Sequence, residues 1–222
     1  MRRRIIAALT VFAAAAGAAF AFSKQIAAFL TVPVDRLGIK LYAFGPAEKF
    51  AAYLHLAFWT GALAAAPFCL VQAGLFVWPA LRKKERLWTL VSLIIVPAFF
   101  FSGAALAYRF LAPAVLRFFL NFGTGDGIAP LWSFKEYLSI LYTLMLAAGI
   151  LLQTPLFLFA AFAAGIVTPA AAARARPAII LGIFLAAALC TPPDVISQIA
   201  LAVPLYLLFE LSLFAGRLVR RR

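Results

Sequence analysis

The sequence predicts an all-α integral membrane protein with six spans, both termini cytoplasmic, and a short final pair of helices. Three observations lead there: an apolar composition, apolar runs long enough to cross a bilayer, and basic residues gathered between alternate runs. Of the 222 residues, 66% are hydrophobic and 12% charged, with a mean hydropathy of +1.04. A soluble domain carries charge on about a quarter of its residues. Crossing a hydrocarbon core of about 30 Å takes about 20 helical residues, and the chain supplies such runs repeatedly.

The first predicted helix covers Ile5–Phe22. At about 18 residues it exceeds the 7–15 of a leader's apolar core, which favours a retained helix over a cleaved signal peptide. A polar stretch, Ser23 to Glu48, follows with Pro33, Gly38, Gly45 and Pro46, and reads as a loop. The second helix spans 50–76 and ends before Arg82-Lys83-Lys84-Glu85-Arg86. The third spans 87–111. A second loop then carries Asn121, the Gly123–Gly127 turn GTGDG, and Trp132. The fourth helix spans 134–164, and a basic connector with Pro169, Arg174 and Arg176 leads to the fifth, 177–189. Roughly 13 residues give about 20 Å, short of a full span, so this helix calls for a thinned bilayer or a shielding partner. A Thr-Pro-Pro-Asp turn precedes the sixth helix, 195–219, which Pro204 should kink. No internal repeat and no soluble domain is visible, so residues 1–222 read as one transmembrane domain.

Charge sets the orientation. The net charge of +13 comes in clusters at Arg2–Arg4, Arg82–Arg86, Arg174 and Arg176, and Arg217–Arg222. With the N-terminus cytoplasmic, thirteen of the twenty basic residues fall inside, and seven (Lys24, Arg36, Lys40, Lys49, Arg109, Arg117, Lys135) fall outside. Five of the seven acids, Asp35, Glu48, Asp126, Glu136 and Asp194, share the outer side. Basic clusters between spans, without a polar surface of interleaved aromatics, argue against nucleic acid.

Enzyme signatures are missing from the sequence. His55 is the sole histidine, Cys69 and Cys190 sit in or beside apolar runs, and no metal set is spaced for ligation. GTGDG lacks the lysine of a phosphate loop. Glu85 is the one acid in a cytoplasmic loop. It either balances charge in a solvated cluster or grips a guanidinium by a charge-assisted fork. Gln153 and Glu210 are polar groups inside apolar runs. Each lies 16 residues past an outer-side residue, Tyr137 and Asp194 respectively, or about 24 Å down a helix. Such groups either face a wet cavity or join helices by a buried hydrogen bond.

Three stretches together resemble the TatC family. Gln72-Ala73-Gly74-Leu75-Phe76-Val77-Trp78-Pro79-Ala80-Leu81 with Lys83-Lys84-Glu85-Arg86 is similar to its glutamine–aromatic–proline–alanine–leucine stretch and following K-x-E-R. Thr191-Pro192-Pro193-Asp194-Val195-Ile196-Ser197-Gln198 is similar to its TPPD-x-x-SQ turn, and Pro204-Leu205-Tyr206-Leu207-Leu208-Phe209-Glu210 to its P-x-Y-x-x-F-E. The resemblance implies a non-enzymatic receptor in the bacterial inner membrane for signal peptides bearing an arginine pair. Glu85, Gln72, Phe76 and Lys84 would hold the peptide, and Gln153 and Glu210 would belong to a concave membrane face. Asp194 and Gln198 would mark the periplasmic turn and a partner contact. The implied partners are TatA- and TatB-type single-span proteins, further copies of the chain, and membrane lipid; no cofactor is implied. Export of folded proteins would draw on the proton-motive force. Two features depart from the family. Its H-L-x-E-L-R-x-R opening has no counterpart around Met1-Arg2-Arg3-Arg4, and Gln153 stands where a glutamate is common. A small transporter, with Gln153 and Glu210 lining a path, is the alternative, though the inverted repeats of that class are not evident.

Overall fold

The computed structural model describes residues 2–77, 86–121, 131–163, 165–190 and 195–220. Helices dominate: α1 (Arg2–Ala21), α2 (Ser23–Asp35), α3 (Pro46–Val77), α4 (Arg86–Leu106), α5 (Ala112–Asn121), α6 (Phe134–Leu151), α7 (Thr154–Ala163), α8 (Pro169–Arg174), α9 (Arg176–Cys190) and α10 (Val195–Arg220). Three stretches are long and apolar enough to cross a membrane: Pro46–Gln72, Ile94–Asn121 and Phe134–Phe162. The bent pair α1–α2 makes a fourth if counted as one span, and α9 and the middle of α10 form shorter apolar helices.

The stretch expected to be a loop from Ser23 to Glu48 holds a helix instead. α2 leaves α1 at an angle of 83°, at Phe22, where apolar residues give way to Ser23, Lys24 and Gln25. A helix that has left the hydrocarbon can keep its backbone bonded while laying one face on the protein. Ala27, Leu30, Pro33 and Val34 form that buried face, at 7% exposure or less for the three non-proline residues.

Proline explains a cross-link at this corner. Pro33 has no N–H for the carbonyl four residues back, at Phe29. The Tyr108 hydroxyl donates to that Phe29 carbonyl, and Tyr137 donates to the neighbouring Leu30 carbonyl, both at 2.5 Å. The third predicted helix likewise runs past its expected end at 111. A π-turn over Ala107–Leu111 joins α4 to α5, and the chain stays helical to Asn121. Pro113 cannot donate to the Arg109 carbonyl, and the wider turn accommodates that missing bond.

A two-residue parallel bridge pairs β1 (Leu41–Tyr42) with β2 (Trp132–Ser133). Glu48 ties the same corner together. Its Oε2 accepts from the Phe44 amide and its Oε1 from the Ser133 hydroxyl, each at 2.6 Å. Ser133 in turn caps α6 by accepting from the Glu136 amide.

Between spans, small residues set the spacing. α4 and α6 meet so closely that a Cβ on Gly103 would lie 2.6 Å from the Ala148 carbonyl oxygen, and one on Gly149 would lie 2.7 Å from the Phe100 ring. Close approach of this kind is how helices gain contact where lipid is as apolar as the side chains. The main core gathers around Leu56, Ala107, Leu138, Leu141, Tyr142 and Leu201. A second, smaller core joins Phe162, Ala172, Phe209 and Leu213 from α7, α8 and α10.

Candidate functional site

Of the expected peptide-binding residues, Gln72 and Phe76 lie near the end of α3. Gln72 is half-buried on its penultimate turns, and Phe76 lies in its last turn. Glu85 and Lys84 lie outside the described residues, as do the GTGDG turn at 123–127 and Asp194.

Gln153 sits at the break that divides the fourth predicted helix into α6 and α7. Pro155 is the cause, since it leaves the Leu151 carbonyl without a helical donor. The Gln153 side chain is 1% exposed. Its Nε2 donates to the Val96 carbonyl of α4 at 3.0 Å and to the Gly149 carbonyl at 3.4 Å. The interhelical hydrogen bond, one of the two roles expected for this residue, is the geometry found. A neutral amide with both contacts inside the protein joins α4 to the hinge of the next span.

Glu210 sits on α10 and faces the start of α9. Arg176 engages it as a fork, Nε to Oε1 at 2.7 Å and a terminal guanidinium nitrogen to Oε2 at 2.9 Å. The Tyr206 hydroxyl, one turn back, donates to Oε1 at 3.0 Å. About a third of each charged side chain remains exposed. Bidentate guanidinium–carboxylate geometry is the strong form of a charged hydrogen bond. It clips together the open end of the α9–α10 hairpin. Nearer the turn, Gln198 Nε2 donates to the Phe184 carbonyl at 3.0 Å, making a second tie between the two helices. On its other side, α10 holds α7 through Ser212, whose hydroxyl donates to the Pro155 carbonyl at 3.0 Å.

Gln153 and Glu210 are therefore not one polar cluster. The first joins α4 to the break between α6 and α7, and the second joins α9 to α10. The sequence reading grouped Arg176 with the basic connector and did not pair it. The signal was present, however. Arg176 lies 17 residues before Pro193 and Glu210 lies 17 after it, so a hairpin turning there sets them level. Among the described residues, no group of three or more histidine, cysteine or acidic side chains is arranged to hold a metal. An apolar cleft of about 270 Å³ opens between α7, α9 and α10, lined by Leu158, Ile179, Ile183 and Phe209 among others.

Comparison with known proteins gives a consistent picture. The family model for TatC, Sec-independent protein translocase protein, matches residues 1–204. A Sec-independent protein translocase protein TatC from Magnetococcus marinus is 36% identical over 206 residues, covering 91% of this chain and 76% of the relative. The Aquifex aeolicus protein of the same description is 31% identical over 225 residues, covering 100% and 93%. A crystallised chain described as the twin arginine translocase receptor TatC superposes with a TM-score of 0.79 at 31% identity, covering 97% of this chain and 96% of that one.

Proposed function

The chain belongs to the TatC family of Sec-independent protein translocase proteins, and from that premise we propose that it is the receptor and core subunit of a twin-arginine translocase. The family is a transport subunit and not an enzyme. The observation that carries the receptor reading is the likeness, at 31% identity over nearly the whole chain, to a solved protein described as a twin arginine translocase receptor.

In this reading Glu85 is the carboxylate that grips the arginine pair of a signal peptide. Lys84 stands beside it, and Gln72 and Phe76 lie at the cytoplasmic end of α3. The span count is six, in one transmembrane domain, with both termini in the cytoplasm of a bacterial inner membrane. α9 and α10 supply the fifth and sixth spans. α9 has 15 residues, about 22 Å at helical rise and short for a bilayer. Such a hairpin suits docking by single-span partners of the TatA and TatB type, with Asp194 and Gln198 at its outer turn. Gln153 and Glu210 serve the scaffold, and transport of folded cargo draws on the proton-motive force without a bound cofactor. The transporter alternative loses support from the same geometry, because both groups it would place along a path already have protein partners.

The test is binding of a twin-arginine signal peptide to the purified protein, wild type against Glu85→Ala, with a twin-lysine peptide as control. Removing one partner of a desolvated charged pair costs about 2–5 kcal/mol, or roughly thirtyfold or more in affinity. Loss of binding in both the variant and the lysine control is expected. Wild-type binding that neither change weakens would remove Glu85 from the site.

A further inference from the structure

A groove at the corner between α2, the β1 loop and the start of α3 has no role in the reading above. Its volume is about 680 Å³. Lys24 of α2, Lys40 before β1, and Lys49 of α3 contribute three ammonium groups to its lining. Asp35, Thr31 and Tyr42 add a carboxylate and two hydroxyls, while Ala27, Ile39 and Phe134 are among its apolar lining residues. Among the described residues, the only ion pair is Arg176–Glu210. None of the three lysines is therefore paired with a carboxylate there. Asp35 offsets one charge, so the lining carries a net excess of two positive charges.

The surroundings indicate what such a groove would hold. α2 turns 83° from α1 at the end of an apolar run, which lays it along the membrane surface if α1 crosses. Phe22, Phe29, Phe44 and Phe50 are all more than half exposed around the corner. Purely apolar rings exposed together beside a charged groove are a surface that acyl chains can cover. A charged groove beside exposed apolar rings suits an anion with apolar chains attached, and a phospholipid supplies both. We propose that the groove binds the headgroup of an anionic glycerophospholipid, its phosphodiester held by Lys24, Lys40 and Lys49 and its glycerol hydroxyls facing Asp35, Thr31 and Tyr42. Phosphatidylglycerol has this chemistry. The chains would then lie against the exposed phenylalanines. Which leaflet supplies the lipid rests on the six-span topology proposed above, but the binding itself does not.

The experiment is lipid retention by the purified protein in neutral micelles, read by native mass spectrometry. Wild type is compared with the triple variant Lys24→Gln, Lys40→Gln, Lys49→Gln, and with a charge-matched control, Arg109→Gln, Arg117→Gln, Lys135→Gln. All three control residues are exposed and lie outside the groove lining. Wild type should retain phosphatidylglycerol about thirtyfold more than phosphatidylcholine, since each of the two excess positive charges contributes about 1 kcal/mol near anionic lipid. The groove variant should lose that preference while the control keeps it. Equal loss in both variants would reduce the effect to overall charge and overturn the site. Competition by inorganic phosphate or glycerol phosphate as effective as the lipid itself would make it a plain anion site and overturn the lipid assignment. Failure of the signal-peptide test would leave these outcomes untouched, because micelle retention does not require a receptor.

Discussion

The corner where α2 meets α6 and the π-turn after α4, and the hairpin built by α9 and α10, solve one problem in two ways. In both, polar groups beside apolar helices need partners. At the corner the groups are neutral: Tyr108 and Tyr137 donate to the carbonyls of Phe29 and Leu30 around Pro33. In the hairpin they are charged: Arg176 and Glu210 form a fork, with Tyr206 as a third member. The corner is surrounded by the main core. The hairpin reaches that core only through its outer half, at Ala187, Leu201, Ala202 and Leu205. The end that carries the fork packs on α7 and α8 through a much smaller cluster of four buried side chains. Where apolar burial is plentiful, hydrogen bonds can be neutral and individually dispensable. Where it is scarce, one ion pair carries more of the geometry. The contrast ranks the consequences of substitution.

The largest effect should come from neither set of polar groups but from the contact that fixes the first region. Gly103→Leu would drive a side chain into the α6 backbone, where even a Cβ has only 2.6 Å. Overpacking costs about 1–3 kcal/mol when neighbours can shift, and a backbone oxygen cannot yield as a side chain does. Folded, monodisperse protein should be lost, as size-exclusion chromatography would show. Recovery of a normal profile would mean the α4–α6 contact is looser than described.

Next comes the hairpin clip. Arg176→Ala leaves the Glu210 carboxylate without its cation and should lower the thermal midpoint in detergent. Combining it with Glu210→Gln should restore part of the loss, because an unpaired charge is worse than no charge. A double variant less stable than either single one would show that the two residues act separately.

Smaller again is Tyr137→Phe, which removes one buried hydroxyl donor from the corner and should cost about 1 kcal/mol. Tyr108→Phe should cost less, since its bond to Phe29 is exposed and the carbonyl can turn to water or a headgroup. Equal losses at the two positions would erase the distinction drawn between buried and exposed ends of the same corner.

Much of this was legible in the sequence, for identifiable reasons. The long spans stood out because runs such as Phe134–Phe162 are predominantly apolar over more than a bilayer's length. α2 was missed because Ser23, Lys24 and Pro33 punctuate it like a loop. Its buried stripe at Ala27, Leu30 and Val34 was present, but in a segment too polar to look like a span. The extension of α4 to Asn121 was hidden by Pro113, which reads as a stop unless a π-turn absorbs it. At the candidate site, Gln153 and Glu210 were identifiable as polar intruders. Their partners were harder, since a backbone carbonyl such as that of Val96 leaves no trace in residue identity. Arg176 was hidden by belonging to a basic cluster, where every arginine looks like an orientation signal.

The bridge between Leu41–Tyr42 and Trp132–Ser133 has a consequence for the order of assembly. Its strands are 91 residues apart, Leu41 pairing with Trp132. Glu48 likewise waits for the hydroxyl of Ser133. During synthesis the first corner therefore leaves the ribosome unfinished: its bond to Tyr108 waits for α3 and α4, and those to Ser133 and Tyr137 wait for α5 as well. Long-range closure of this kind is slow compared with helix formation. For that interval the groove beside α2 is open to whatever the membrane offers, well before the C-terminal hairpin has been translated.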